Sequence, residues 1–158
     1  MRGFISLPAF RGSEFRLYGG PYLRMPKGMV GVKMAAEINA PCVVDIPTRD
    51  YSTPGVQLMA DGLYDTISHI LSGKPVYAGC MGGIGRTGLV LALVAKAWGV
   101  ADPVAFVRKH YYAHAVETPE QMKYVANFEI DPRVTKMIRW AKLKNIFKKN
   151  KILTNYSN

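Results

Sequence analysis

Residues 76–88, Val-Tyr-Ala-Gly-Cys-Met-Gly-Gly-Ile-Gly-Arg-Thr-Gly, constrain this chain more than any other stretch. A short β-type run ends on Cys80, a glycine-rich turn leads to Arg86, and Thr87 opens an apolar stretch of helical character. Backbone amides of such a turn point into one concavity, and the start of a helix adds positive potential there. These surroundings favour a thiolate over a thiol. Gly82, Gly83 and Gly85 allow the close backbone approach that the turn needs. Arg86 offers a planar fork that suits two phosphate oxygens, and Thr87 carries a hydroxyl within reach of the Cys80 sulfur. The stretch Met81, Gly82, Gly83, Ile84, Gly85 and Arg86 is therefore read as a phosphate-sized anion site with a nucleophile in its floor.

Two other phosphate loops fit less well. Gly83–Gly88 also matches G-x-G-x-x-G after a strand and before a helix. A dinucleotide fold would then need further strand–helix units and an acidic strand end about 20 residues on, whereas the chain beyond Gly88 is mostly helical in character. A Walker loop would need a lysine where Arg86 stands. A lone cysteine is more often a small buried hydrophobe than a nucleophile, so the loop around Cys80, not the thiol itself, carries the reading. No metal-ligand spacing occurs, since His69, His110 and His114 lie apart, and no cofactor is expected.

The chain has 158 residues, the size of one domain, and its 49% hydrophobic content supplies a core. No apolar run reaches the ~18 residues of a membrane span. At the N-terminus Pro8 and Arg11 cut the apolar stretch Phe4–Leu7 short, so no export signal is read. Two cysteines are too few for a disulfide framework, and a reducing cytoplasm is the expected compartment.

Proline follows a capping residue at Thr53-Pro54, Asp102-Pro103, Thr118-Pro119 and Asp131-Pro132, which predicts four helix starts. The first helix is expected over about 54–71, with Leu58, Met59, Leu63, Ile67, Ile70 and Leu71 as its apolar stripe and Gly73 beyond its end. The helix over about 87–98 is apolar nearly all round and reads as the buried central one. Residues 29–38 look helical, 41–46 look like a buried strand containing Cys42, and 15–20 read as strand and turn. Alternating helices and short strands predict an α/β fold. The expected form is a single domain with a central, mainly parallel sheet of four to five strands flanked by helices.

The stretch Cys80–Gly88 resembles the Cys-x5-Arg-[Ser/Thr] signature of the protein tyrosine phosphatase superfamily. Three further segments agree, the first two resembling its compact dual-specificity branch and the third a segment of the family at large. They are Arg16-Leu17-Tyr18-Gly19-Gly20, Ile46-Pro47-Thr48-Arg49-Asp50 and Val116-Glu117-Thr118-Pro119-Glu120-Gln121. The resemblance covers about residues 15–130. It implies Cys80 as nucleophile, Arg86 and the loop amides as phosphate ligands, and Thr87 as support for the sulfur. It further implies Asp50 as general acid and Gln121 as the residue that orients the hydrolytic water. One position departs from the pattern: Gly79 stands where the family usually carries histidine. Some relatives trap the nucleophile as a disulfide, which raises the question of a Cys42–Cys80 pair.

Plainer readings stand beside these. Asp50 fits an Asx turn, Asp45 competes with it, and Gln121 completes a capping box with Thr118. The net charge of +10 is concentrated after Asp131, where Arg133, Lys136, Arg139, Lys142, Lys144, Lys148, Lys149 and Lys151 meet no acid. Val134, Met137, Ile138, Ala141 and Phe147 give that tail an apolar stripe. The expected division is a phosphatase domain over 1–131 and a basic C-terminal helix over 132–158 packed on it. That helix is also a place where an anionic surface or nucleic acid would make contact. The expected substrate is a phosphorylated protein or another phosphomonoester. The alternatives are an RNA 5′-phosphatase or phosphoinositide phosphatase, and a phosphate-binding module left inactive by Gly79.

Overall fold

Short β-forming runs separated by glycine, proline and polar turns assemble into one five-stranded sheet. The computed structural model describes residues 2–9 and 13–154, with side chains through Lys144. The strands are β1 (Gly3–Pro8), β2 (Glu14–Pro21), β3 (Val30–Ala35), β4 (Val44–Thr48) and β5 (Val76–Cys80). The helices are α1 (Val56–Leu71), α2 (Gly85–Ala97), α3 (Pro103–His110), α4 (Pro119–Asn127) and α5 (Pro132–Thr154), with a 3-10 turn at Tyr22–Arg24. Strand order is β1-β2-β5-β3-β4. β1 runs antiparallel to β2, and the other pairings are parallel. This is the expected α/β architecture with one antiparallel edge.

β5 lies at the centre and is buried at all five positions, as a parallel strand covered on both faces must be. α2 comes next in the chain and buries every residue from Gly85 to Ala95. Its sequence is apolar on all sides for that reason. α1 buries Met59, Leu63, Ile67 and Ile70, four members of the predicted stripe, while Leu58 at its start is exposed.

Within the segment 29–38 the chain forms strand β3 over Val30–Ala35, not a helix. Its apolar residues fit either period, but β-branched Val30 and Val32 suit an extended chain. Pairing with β5 on one side and β4 on the other then decides the matter. The strand expected at 41–46 begins later, at Val44. It is an edge strand, so Val44, Ile46 and Thr48 are buried while Asp45 and Pro47 face outward. Cys42 lies before it and is half-buried, not a buried strand residue. Among the residues that read only as strand and turn, β2 runs unbroken through Gly19-Gly20, and β1 pairs along its whole length.

Three of the four proline-marked starts hold. Asp102 accepts from the Ala105 amide, Thr118 forms a full capping box with Gln121, and Asp131 accepts from the Arg133 amide at 2.7 Å. Thr53-Pro54 does not start α1. Gly55 precedes that helix without a side-chain cap, and the Thr53 hydroxyl donates to Glu120 instead. α5 packs Val134 and Ile138 into the core, while Trp140 and Leu143 are exposed beside Arg139 and Lys142. Phe147 and the lysines after it lie outside the described side chains. No helix among the described residues is long and apolar enough to cross a membrane.

Gly88 lies where α2 crosses the segment 115–116. A Cβ there would sit 2.7 Å from the Val116 amide nitrogen and 2.8 Å from the Ala115 Cβ. Alanine has the higher helix propensity, by about 1 kcal/mol, but the contact is with backbone that has nowhere to go. Gly88→Ala should therefore lower Tm by roughly 3–10 °C, which corresponds to overpacking of about 1–3 kcal/mol. A thermal melt showing Tm unchanged or raised would mean that this crossing relaxes freely.

Candidate active site

β5 delivers Cys80 to the carboxyl end of the sheet, between β2 and β3, and the chain turns through Met81–Ile84 into α2. Crevices at such a position are where open α/β sheets bind ligands. Cys80 is 3% exposed. Its sulfur accepts from the Gly83 amide at 3.2 Å and from the Thr87 hydroxyl at 3.2 Å. Gly83 adopts φ +70°, and a side chain there would collide with the Gly20 backbone of β2. The turn thus requires glycine at that position both for conformation and for space. The loop carbonyls point the other way: Gly83 O accepts from the Tyr111 hydroxyl at 2.6 Å and Gly82 O from Arg2 Nη2 at 3.1 Å.

Arg86 occupies the first turn of α2 and is 2% exposed. A guanidinium has five N–H donors, and four are accounted for. Nη1 donates to Glu37 Oε2 at 2.7 Å and to Thr48 O at 2.8 Å. Nη2 donates to Glu37 Oε1 at 2.6 Å and lies 3.0 Å from Asp50 Oδ1. The fifth, Nε, is buried and has no partner. Glu37 therefore grips the end of the fork and leaves the Nε–Nη2 edge, on which Asp50 makes a single contact.

The Arg86 hydrogen bond is the main reason why the Glu37 carboxyl lies below its ordinary value. For Arg86 itself, burial works against the charge. The Glu37 hydrogen bond and the charges of Cys80, Glu37 and Asp50 outweigh that burial and raise the guanidinium further.

Asp50 is the exposed partner, with 59% of its side chain accessible. It also accepts from the Tyr51 amide at 3.1 Å, and Tyr51 takes φ +55°. That turn is tied to α4. Thr118 donates to Tyr51 O, and Gln121 Nε2 donates to Ser52 O at 3.2 Å. Gln121 is fully buried, and its Oε1 accepts from the Glu117 and Thr118 amides. Its oxygen is thus committed to the cap and its nitrogen to the Asp50 turn. Asp45 forms an ion pair with Lys33 at 3.4 Å. Among the described residues no group of three His, Cys, Asp or Glu side chains could hold a metal ion.

Cys42 cannot pair with Cys80 in this fold. The neighbouring Val43 amide donates to Gly31 O, and Gly31 is level with Tyr77. Cys80 lies three residues further along β5, about 10 Å, and two strand spacings away at about 5 Å each. A disulfide requires Cα atoms within about 7 Å.

Cys80, Arg86, Thr87 and Asp50 meet at one place, and Gln121 supports it from behind. Sequence reading misses Glu37, Tyr111 and Arg2. Glu37 lies just past the end of β3, and taking that stretch as a helix hides it. Glu117 stands out in the sequence only as part of a segment, yet a Cβ on Gly85 would strike its carboxylate.

Residues 28–98 match the family model described as a DSP-PTPase phosphatase of polymorphic toxin systems. Two uncharacterized proteins of Methanocaldococcus jannaschii are 43% and 42% identical over 84 residues, 52% of this chain. Those residues are 56% and 52% of the relatives, so the chain spans about half the length of the curated relatives it matches. Among solved structures, the active form of Tk-PTP aligns with a TM-score of 0.57 at 25% identity, covering 65% of this chain and 80% of that one. Kinase associated phosphatase, crystallised with its catalytic-site cysteine changed to serine, aligns with a TM-score of 0.58 over 79% of this chain and 92% of that one. At 14% identity the second likeness shows the fold alone. The five-stranded, mostly parallel sheet with its flanking helices matches the fold of these phosphatases. Residues 28–98 are thus similar to the dual-specificity type of the protein tyrosine phosphatase superfamily, and the fold of the chain is that of its phosphatase neighbours.

The Glu37–Arg86 pair makes stability depend on pH in a set direction. The folded-state value of Glu37 is depressed, so its contribution is complete above the ordinary value of 4.5 and is lost as pH falls through the depressed one. Glu37→Gln should melt roughly 2–6 °C below wild type at neutral pH, and the two Tm curves should converge as the pH falls below the depressed Glu37 value. A gap of constant width across that range would disprove the linkage.

Proposed function

We propose that this chain hydrolyses phosphomonoesters through a cysteinyl-phosphate intermediate, with phosphotyrosine and phosphoserine or phosphothreonine in proteins as its substrates. The carrying observation is a sulfur held by an amide and a hydroxyl beside a buried guanidinium whose Nε has no partner. A buried donor left open in a native fold calls for an explanation, and a phosphate oxygen supplies one.

In the first step the Cys80 sulfur attacks phosphorus in line and the ester P–O bond breaks. Loop amides and the Nε–Nη2 edge of Arg86 hold the non-bridging oxygens. Asp50, displaced from Arg86 by the substrate, takes up a proton from solvent and gives it to the leaving oxygen. Its single contact with Nη2 lies on the edge that phosphate would take, so substrate binding exchanges carboxylate for phosphate there and frees Asp50 for its role. In the second step water attacks phosphorus, Asp50 takes a water proton, and the S–P bond breaks to release phosphate and the thiolate. Gln121 has one Nε2 hydrogen beyond the bond to Ser52 O, and orienting that water would require its buried side chain to turn toward the loop. We place this chemistry in residues 1–131 and read 132–158 as a separate basic segment whose helix α5 begins at Pro132 and packs Val134 and Ile138 on the same domain.

The test is hydrolysis of an aryl phosphate and of phosphopeptides. Cys80→Ser should reduce turnover to background, by at least about 10³-fold. Arg86→Lys should cost roughly 10²–10³-fold because a point charge cannot replace the fork. Asp50→Ala should cost about 10²-fold or more on phosphopeptides and about tenfold or less on an activated aryl ester. Turnover that survives Cys80→Ser would refute the mechanism. Tight phosphopeptide binding without any turnover would make the chain a phosphate-reading module, and faster turnover of a 5′-triphosphate RNA or an inositol lipid would reassign the substrate.

A further inference from the structure

We infer that Tyr111 and Arg2 are positioning residues that aim the amides of the cysteine loop by holding its carbonyls outward, a role that rests on the phosphatase reading above. In a trans peptide the C=O of one residue and the N–H of the next point in opposite directions, and no peptide here is cis. The Gly82–Gly83 peptide displays the consequence. Its oxygen accepts from Arg2, and its N–H donates to the Cys80 sulfur. The next peptide repeats the arrangement. Its oxygen, on Gly83, accepts from the Tyr111 hydroxyl at 2.6 Å, so the Ile84 N–H points away from Tyr111, toward the concave side. Two successive amides are thereby directed inward by two donors that grip from outside, and such preset donors are what stabilise a phosphoryl group in transfer.

The tyrosine is seated to hold that position. Gly3 and Gly19 are register partners across β1 and β2. Cβ atoms added at these glycines would lie 3.4 and 3.0 Å from the Tyr111 ring. The bare strand pair is thus a trough for the aromatic face. Arg2 belongs to the same hairpin: its amide donates to Gly19 O and its guanidinium stacks 4.4 Å over the Tyr112 ring. Burial keeps the Tyr111 phenol far above its ordinary value, so it retains the proton it donates.

Bracing from the residue before the nucleophile is closed off. A Cβ on Gly79 would lie 2.7 Å from the Tyr22 Cα and 2.9 Å from Gly20 O, both backbone atoms. In this chain the brace comes from the β1–β2 hairpin and the end of α3 instead.

Tyr111→Phe tests the inference because it keeps the ring in its trough and removes only the donor. In the full chain, alkylation of Cys80 by iodoacetamide at about pH 6, tracked on the Cys80 peptide by mass spectrometry, should slow about threefold or more. Protection of Cys80 by inorganic phosphate should need about tenfold more phosphate, and kcat/KM on an aryl phosphate should fall about five- to thirtyfold. A purely structural tyrosine would move Tm and leave alkylation and protection at the wild-type level, and that result would overturn the inference. Arg2→Ala makes the same test on the neighbouring peptide and decides the matter should Tyr111→Phe not fold. Alkylation and phosphate protection need no turnover. An inactive wild type with both variant effects present would therefore remove the phosphatase reading and keep the brace.

Discussion

Burying one guanidinium organises the functional end of this molecule. An ion taken out of water costs several kcal/mol unless its hydrogen-bonding groups are met. Arg86 meets the condition by drawing acceptors from three places: Glu37 after β3, Thr48 O at the end of β4, and Asp50 in the turn beyond it. Those acceptors coincide only because the parallel register of β3 and β4 brings both strand ends to the side of the sheet where β5 ends in Cys80. The sheet topology and the ion site are therefore one constraint. Slipping β4 by a residue would turn Ile46 outward and withdraw the Thr48 carbonyl from Arg86 together.

Strain is concentrated around the same end. Among the described residues two non-glycine positions adopt positive φ, Tyr51 at 55° and Val116 at 58°, and for a β-branched residue this conformation is especially costly. Each is held by hydrogen bonds from elsewhere. Arg108 donates to both Ala115 O and Val116 O, and Thr118 donates to Tyr51 O. The two strained residues flank the segments that carry Asp50 and Glu117, so rigidity comes from cross-links between loops where the sheet itself has ended.

The parts of this site legible in the sequence are those encoded locally. The loop 80–88 declares itself through glycine content and the spacing of thiol and guanidinium, and the caps at Asp102 and Thr118 need only a short stretch of chain. What the sequence does not disclose depends on neighbours. Residues 29–38 carry apolar spacings that fit a helix or a strand, and only β5 and β4 on either side select the strand. Glu37 gains its meaning from that placement. Tyr111 lies 31 positions beyond Cys80, and nothing near it in the chain marks it as a partner of Gly83. The signal is present in Gly3, Gly19 and Gly79, but it reads as missing side chains until the surfaces they vacate are known.

Two carboxylates share one guanidinium here, and the number of bonds separates their roles. Glu37 makes two short, parallel hydrogen bonds to the end of the fork. Moving it would leave two donors of a buried cation unmet, so it is the fixed partner. Asp50 makes one contact with the guanidinium, at the edge, and keeps 59% of its side chain in solvent. It can leave at the cost of one hydrogen bond that an arriving anion at once replaces. An acid that must turn from the resting ion pair to a departing oxygen has to be the weakly held one of the two. By the same logic an acid that must keep the fork aimed has to be the strongly held one, and exchanging their positions would leave Arg86 loosely aimed and the proposed proton donor immobile.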